Sequence, residues 1–159
     1  MPESSQKSKI RSALARYAAR ILSARPYFRT KLKDKLFQRA ESQGFEDSGA
    51  LIDEILADLA DSGYLDDRYL AEAYIRRQLG KGYGPKIIAL KLKYLGLDPG
   101  LVTATLKAEA GQEAEIASIR KYSAKFPHLD RRKLISKLYQ RGYLSLTIQK
   151  AFDGDWLED

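Results

Sequence analysis

Three segments of this chain overlay without a gap. Leu32, Ile88 and Leu134 share one position, Leu36, Leu92 and Leu138 the position four residues on, and Lys35, Lys91 and Lys137 stand just before the second of these. Gly96 and Gly142 then match each other at the segment end, where the first copy has Ala40 and a longer connection through Gly44. Leucines four apart occur in any helical protein, but a register kept through three copies, 56 and then 46 residues apart, is an internal repeat. Units of that length bury their apolar faces by stacking on one another. The fold expected is therefore all-α: an elongated, solenoid-like array of three tandem three-helix repeats.

Apolar spacing supplies the helices. Ile10, Leu14, Tyr17, Ala18, Ile21 and Leu22 fall on one helical face, as do Leu32 with Leu36, and Ile52, Ile55, Leu56 and Leu59. A second set follows in Leu70, Ala73 and Tyr74, in Ile88, Leu92 and Leu95, and in Val102 and Leu106; a third in Ile116 and Ile119, Leu134 and Leu138, and Ile148 and Phe152. Pro85 and Pro99 stand behind Gly84 and Asp98 as first helical residues, where a missing N–H costs nothing. Ser48, Asp130 and Ser145 are expected N-caps, and Gly63, Gly96 and Gly142 expected stops. The repeats predicted are residues 9–64, 65–110 and 111–153, between a flexible tail at 1–8 and an acidic one at 154–159.

Charge follows the same plan. Lys7 to Arg39 carries eleven Lys/Arg against Asp34, and Glu41 to Asp67 carries nine acids and no base. Residues 68–93 are basic again, 94–119 lean acidic, 120–141 hold eight Lys/Arg against Asp130, and the end turns acidic. One disordered arm would put its charge in one place; alternation places a basic face on each copy of a unit. With a net charge of +7 the expected partner is a polyanion or an acidic filament.

Catalytic chemistry finds little support. The chain has no cysteine, hence no disulfide, thiolate nucleophile or Cys-based zinc site, in keeping with a reducing cytoplasm. No apolar run approaches the roughly 20 residues needed to cross a bilayer. His128, the one histidine, follows Pro127 in an expected loop. Asp66-Asp67 reads as a helix cap and first-turn acid rather than a metal site. Gly80-Lys81-Gly82-Tyr83-Gly84 lacks the strand and the Ser/Thr of a phosphate loop and reads as a turn. We expect a non-enzymatic protein without cofactor or metal.

The basic positions carry more. Lys31, Lys35 and Arg39 repeat at four-residue spacing beside the leucines of the second helix; Lys133, Lys137 and Arg141 do so in the eighth. Arg76, Arg77, Lys81, Lys86, Lys91 and Lys93 continue the edge through the middle repeat, and Arg25, Arg131 and Arg132 flank the rows. The competing account is a solvated face whose long stems cover the core. Tyr27, Tyr74, Tyr83, Tyr94, Tyr122, Tyr139 and Tyr143 accompany these charges, either packing between helices or stacking on single-stranded bases.

Gly63-Tyr64-Leu65-Asp66-Asp67-Arg68-Tyr69-Leu70-Ala71-Glu72-Ala73-Tyr74-Ile75, followed by Arg77 and Lys81-Gly82-Tyr83-Gly84, resembles the signature segment of the RecX family of bacterial recombination regulators. Ala15 to Leu22 with Arg25, the turn Lys91-Leu92 to Gly96-Leu97, and Arg141-Gly142-Tyr143 with Ile148 extend the resemblance over about residues 10–153. Phe28 and Lys31 depart from it: they stand where the family pattern has a Ser cap and a Glu three residues later, leaving Thr30 as the cap of a shorter second helix. The resemblance implies a protein that binds in the groove of the RecA–single-stranded DNA filament, and the chain is expected to be a cytoplasmic monomer. The resemblance also implies inhibition of ATP hydrolysis, strand exchange and co-protease function. Autonomous, non-specific DNA binding and a scaffold for another protein are the rival readings. Operator recognition is disfavoured, because Asp53, Glu54, Asp58 and Asp61 would repel phosphates from the third helix.

Overall fold

The computed structural model describes residues 2–153. Among these, the secondary structure is helical throughout: α1 (Pro2–Ala24), α2 (Arg29–Ser42), α3 (Gly49–Asp61), α4 (Asp67–Gly80), α5 (Pro85–Tyr94), α6 (Pro99–Glu109), α7 (Gln112–Ser123), α8 (Arg131–Gln140) and α9 (Ser145–Ala151). The helices anticipated from apolar spacing are all present. Residues 2–8, expected as a flexible tail, continue α1 instead, since no Gly or Pro interrupts the run from Glu3 to Ala24. The acidic tail at 154–159 lies outside the described residues.

The chain divides into two compact units, the first ending at Leu70 and the second beginning at Ala71, just after the first turn of α4. In the first, α1, α2 and α3 pack on one another around Leu14, Ala18, Leu32, Leu36, Ala40, Ile52, Ile55 and Leu56, closed by Leu65. Each fully buried Leu or Ile here contributes on the order of 1.5–3 kcal/mol. In the second unit α5 packs on α6, and α7 and α8 on α9, with Ile119, Leu134, Leu138, Tyr143, Ile148 and Ala151 in one core cluster. One face differs from the periodicity reading. α4 buries Ala71, Ile75, Gln78 and Leu79, while Leu70, Ala73 and Tyr74 are half-buried. A polar residue on the inner face hid the true stripe.

Several helix starts are capped from elsewhere in the chain. α2 has no side-chain cap of its own at Phe28; instead the Arg29 N–H donates to Asp67 Oδ1 at 2.8 Å, and Thr30 lies inside the helix. Asp66 caps α4 as expected, accepting from Tyr69 N at 3.1 Å, and Asp98 caps α6 through Leu101 N. Ser145 is not a cap but the first residue of α9; the preceding Leu144 N–H donates to Glu115 Oε1, 2.7 Å away. Ser48 and Asp130 occupy cap positions without a side-chain cap bond, the Ser48 hydroxyl donating to Phe45 O.

Within the second unit, the turn after α8 caps α5 with main-chain atoms. Gly84 N donates to Arg141 O at 2.7 Å and Lys86 N to Gly142 O at 3.0 Å, so carbonyls leaving one helix meet the open N–H groups of another. The approach needs both glycines. A Cβ on Gly84 would strike Tyr143 N and the Gly142 carbonyl, and one on Gly142, whose φ is 90°, would strike Ile87. Beneath this joint Tyr143 is fully buried. Ser118 spends its single hydroxyl proton on Leu79 O at 2.7 Å, so Tyr143 donates to Ser118 Oγ, also at 2.7 Å.

Candidate nucleic-acid interface

The lysines of the internal repeat have a common environment: each ammonium lies over an aromatic ring. Lys35 Nζ is 5.7 Å from the Tyr27 centroid, Lys91 Nζ 3.5 Å from Tyr83 and Lys137 Nζ 5.0 Å from Phe126. All three lysines are half-buried, and the rings belong to the segments leading into α2, α5 and α8. Each ring holds its charge beside the helix without neutralising it, and each such contact contributes about 0.5–1 kcal/mol at an exposed site. Tyr27 also carries Arg25, at 4.5 Å. These tyrosines therefore serve as platforms for cations, and a base stacking on those ring faces would have to displace them.

The remaining candidates separate by what they touch. Arg141 is committed to the fold: Nε donates to Gly82 O at 2.8 Å and Nη2 to Lys81 O at 2.7 Å, and its guanidinium lies over Tyr83 and Tyr122. It satisfies the carbonyls at the end of α4 just as its own carbonyl caps α5. Lys91 adds a hydrogen bond to Gln78 Oε1 at 3.0 Å, which gives the buried amide of α4 its partner. Arg76 pairs with Glu109 at 3.0 Å. Arg25, Arg39, Arg77, Lys81, Lys86, Lys93, Arg132 and Lys133 are exposed, Arg77 over the Tyr74 ring, while Lys31 and Arg131 are half-buried. His128 sits exposed in the loop between α7 and α8.

The acidic face of α3 is partly neutralised at home. Arg11 of α1 bridges Glu54 and Asp58, and Lys33 of α2 pairs with Asp53 at 3.1 Å. Exposed pairs of this kind contribute at most about 1 kcal/mol each. They do sort the first basic block, since Arg11 and Lys33 are answered by carboxylates, whereas Arg39 lies 5.0 Å from the Tyr17 ring, which Arg20 also covers. Arg20 lies outside the leucine-flanked rows that mark the other basic positions in the sequence. Its signal was the spacing to Arg16, one helical turn away, with Tyr17 between.

Among the described residues no group of His, Cys, Asp and Glu side chains is placed to hold a metal ion, and no helix is long and apolar enough to cross a membrane. Glu115 and Tyr143, the buried ionisable groups of the second unit, are raised from their ordinary pKa values first by burial; hydrogen bonds from Leu144 and Thr147 to Glu115, and the Arg141 charge near Tyr143, offset this in part. Both are internal ties. What the basic rows present is cationic chemistry with aromatic support.

No family-wide sequence profile matches the chain. Individual relatives do. It is 34% identical over 144 residues to Regulatory protein RecX of Xanthomonas axonopodis pv. citri, covering 87% of this chain and 85% of that one. It is 34% identical over 113 residues to the protein of the same name from Legionella pneumophila, 71% of each, and 29% identical over 140 residues to that of Halorhodospira halophila, 84% and 83%. The fold is likewise that of solved structures: the crystal structure of RecX from Lactobacillus salivarius superposes with a TM-score of 0.75 at 22% identity over 92% of this chain and 96% of that one. A second, the crystal structure of regulatory protein RecX, superposes with a TM-score of 0.73 at 18% identity over 93% and 74%. With its helical-repeat fold and this extent of shared sequence, the chain belongs to the RecX family of regulatory proteins.

Proposed function

We propose that this chain binds the filament that RecA recombinase forms on single-stranded DNA, seats in its groove and inhibits ATP hydrolysis, strand exchange and co-protease function. The observation that carries the reading is membership of the RecX family at 34% identity over most of both chains. The basic side chains support it, because Lys35, Lys91 and Lys137 present one chemical element three times at repeat spacing, as a repetitive target requires. In this reading the chain is three three-helix repeats, 9–64, 65–110 and 111–153, working as a cytoplasmic monomer. Its DNA contacts are non-specific, made from the exposed basic residues named above, and it uses no catalytic residue or cofactor.

The test is ATP hydrolysis by a preformed RecA–single-stranded DNA filament titrated with this protein. Inhibition is expected from substoichiometric to stoichiometric protein. Unchanged hydrolysis over that range, with no co-sedimentation on the filament, overturns the reading and leaves a scaffold for another partner.

A further inference from the structure

The first unit has an open cleft of about 260 Å³ between α1 and α2, lined by Ala13, Arg16, Tyr17, Arg20 and Arg39. Among the described residues, three arginines line it and no carboxylate does. Arg16 bonds to the Ser12 carbonyl of its own helix, at 3.4 Å, and Arg20 and Arg39 rest on the Tyr17 ring. Elsewhere on these helices the structure spends cations on acids, Arg11 on Glu54 and Asp58 and Lys33 on Asp53. Like charges gathered around one ring repel, a cost that an anion entering the cleft removes.

We propose that this cleft is a binding site for the phosphodiester backbone of single-stranded DNA. The proposal deepens the filament reading and rests on its assignment of DNA as part of the target. All three cations are arginines, whose planar donor forks match phosphate oxygens. Arg16 and Arg20 stand one turn apart on α1, about 6 Å along the axis, so they meet successive points on a strand rather than one ion. The three are exposed, and nothing encloses a small anion; a free phosphate is held weakly there, while a strand adds such contacts together and releases its counterions. An acidic protein surface fits less well. The large exposed hydrophobics include none on α1, and Phe37 alone on α2, whereas protein interfaces need an apolar centre and DNA interfaces do not. The base faces stay outside, because Tyr17 is already covered by guanidiniums. Tyr17 is a positioning residue that holds Arg20 and Arg39 toward the cleft.

Fluorescence anisotropy of a labelled oligo-dT strand, titrated with the full chain at several salt concentrations, tests this. The Arg16→Gln, Arg20→Gln, Arg39→Gln triple variant is expected to flatten the log–log salt dependence by about 2, at about 0.7 per lost phosphate contact. A variant with Arg120, Lys121 and Lys150 changed to Gln, of equal charge, is expected to flatten it by less than half as much. Tyr17→Leu, all charges kept, is expected to weaken binding several-fold with the slope unchanged, and an abasic strand to show the same loss in the triple variant. Circular dichroism establishes that each variant is folded. Equal flattening in the two triple variants overturns the proposal, as does displacement of the strand by inorganic phosphate below that by chloride of matched ionic strength. A triple variant that binds the strand normally yet fails to inhibit the filament assigns the cleft to protein, and also overturns it. If the unaltered protein fails to inhibit the filament while the triple variant still loses its slope, the filament reading falls and the cleft stands.

Discussion

Asp67 closes the start of α2 from 38 residues away, its Oδ1 2.8 Å from the Arg29 amide nitrogen. A carboxylate there answers both an open N–H and the positive end of the helix. Asp67→Ala is expected to lower the stability of the first unit by about 1 kcal/mol, with Asp67→Asn losing less. Urea denaturation of both variants checks this. A loss in Asp67→Ala no larger than for an exposed mid-helix substitution such as Gln38→Ala would show that water caps α2 equally well.

Gly80 and Gly84 are four residues apart and are expected to respond to alanine with opposite signs. Nothing lies within 4 Å of a Cβ on Gly80, at the end of α4, so Gly80→Ala gains about 0.5 kcal/mol by restricting the unfolded chain. Gly84 has an ordinary φ of −90°, so alanine there is penalised by sterics alone. The obstructing atoms are main chain and cannot swing away. Gly84→Ala is expected to cost about 3 kcal/mol, read as opposite shifts in thermal midpoint.

Glu115 is 1% exposed and its pKa is raised by desolvation, ahead of the opposing hydrogen bonds from Leu144 and Thr147. The folded state thus holds this proton more tightly than the unfolded chain does. Stability linked to it is complete below the ordinary Glu value and falls as pH rises through the raised one. Glu115→Gln, which keeps an acceptor for Leu144 N, is expected to flatten stability against pH in that window and to match or exceed the parent at neutral pH. Glu115→Leu leaves donors unanswered and is expected to cost about 1–3 kcal/mol at any pH.

Arg141 and Lys133 lie in one basic row of the sequence and have different surroundings. Arg141→Gln abandons the Lys81 and Gly82 carbonyls and two rings, with an expected cost of about 2 kcal/mol, whereas Lys133→Gln is expected to stay within about 0.5 kcal/mol. Weaker filament binding by an Arg141 variant is interpretable only after its stability has been measured.

Charge reversal at Arg77 and Lys81 is expected to reduce filament binding more than reversal at Arg132 and Lys133. All four are exposed, and the two variants change net charge equally. Co-sedimentation with the filament reads the difference; equal losses would mean a diffuse attraction without a favoured segment.

The leucine register, with Pro85, Asp98 and Asp66 at helix starts, was legible because each depends on residues within one turn. The start of α2 was not, since its cap lies 38 positions downstream and no period connects them. The inner face of α4 was misread because Gln78 is buried and finds its partner in Lys91. The lysines of the repeat were visible, and so were Tyr27 and Tyr83 as their companions, but not Phe126, which lies three residues before the place of those tyrosines in the overlay, a place occupied by Leu129. Arg141 looked like the end of a basic row because its partners are carbonyls, which every residue has.

The joint between the Gly84 and Gly142 turns has a consequence for length. A contact made by carbonyls, amide hydrogens and missing side chains is indifferent to neighbouring chemistry but fixed in register, so one inserted residue at either turn would misalign every pair. The loop at residues 43–48, where a Cβ on Gly44 meets nothing, has no such obligation. The two turns are therefore locked in length, while the connection that makes the first period 56 residues rather than 46 is free to lengthen.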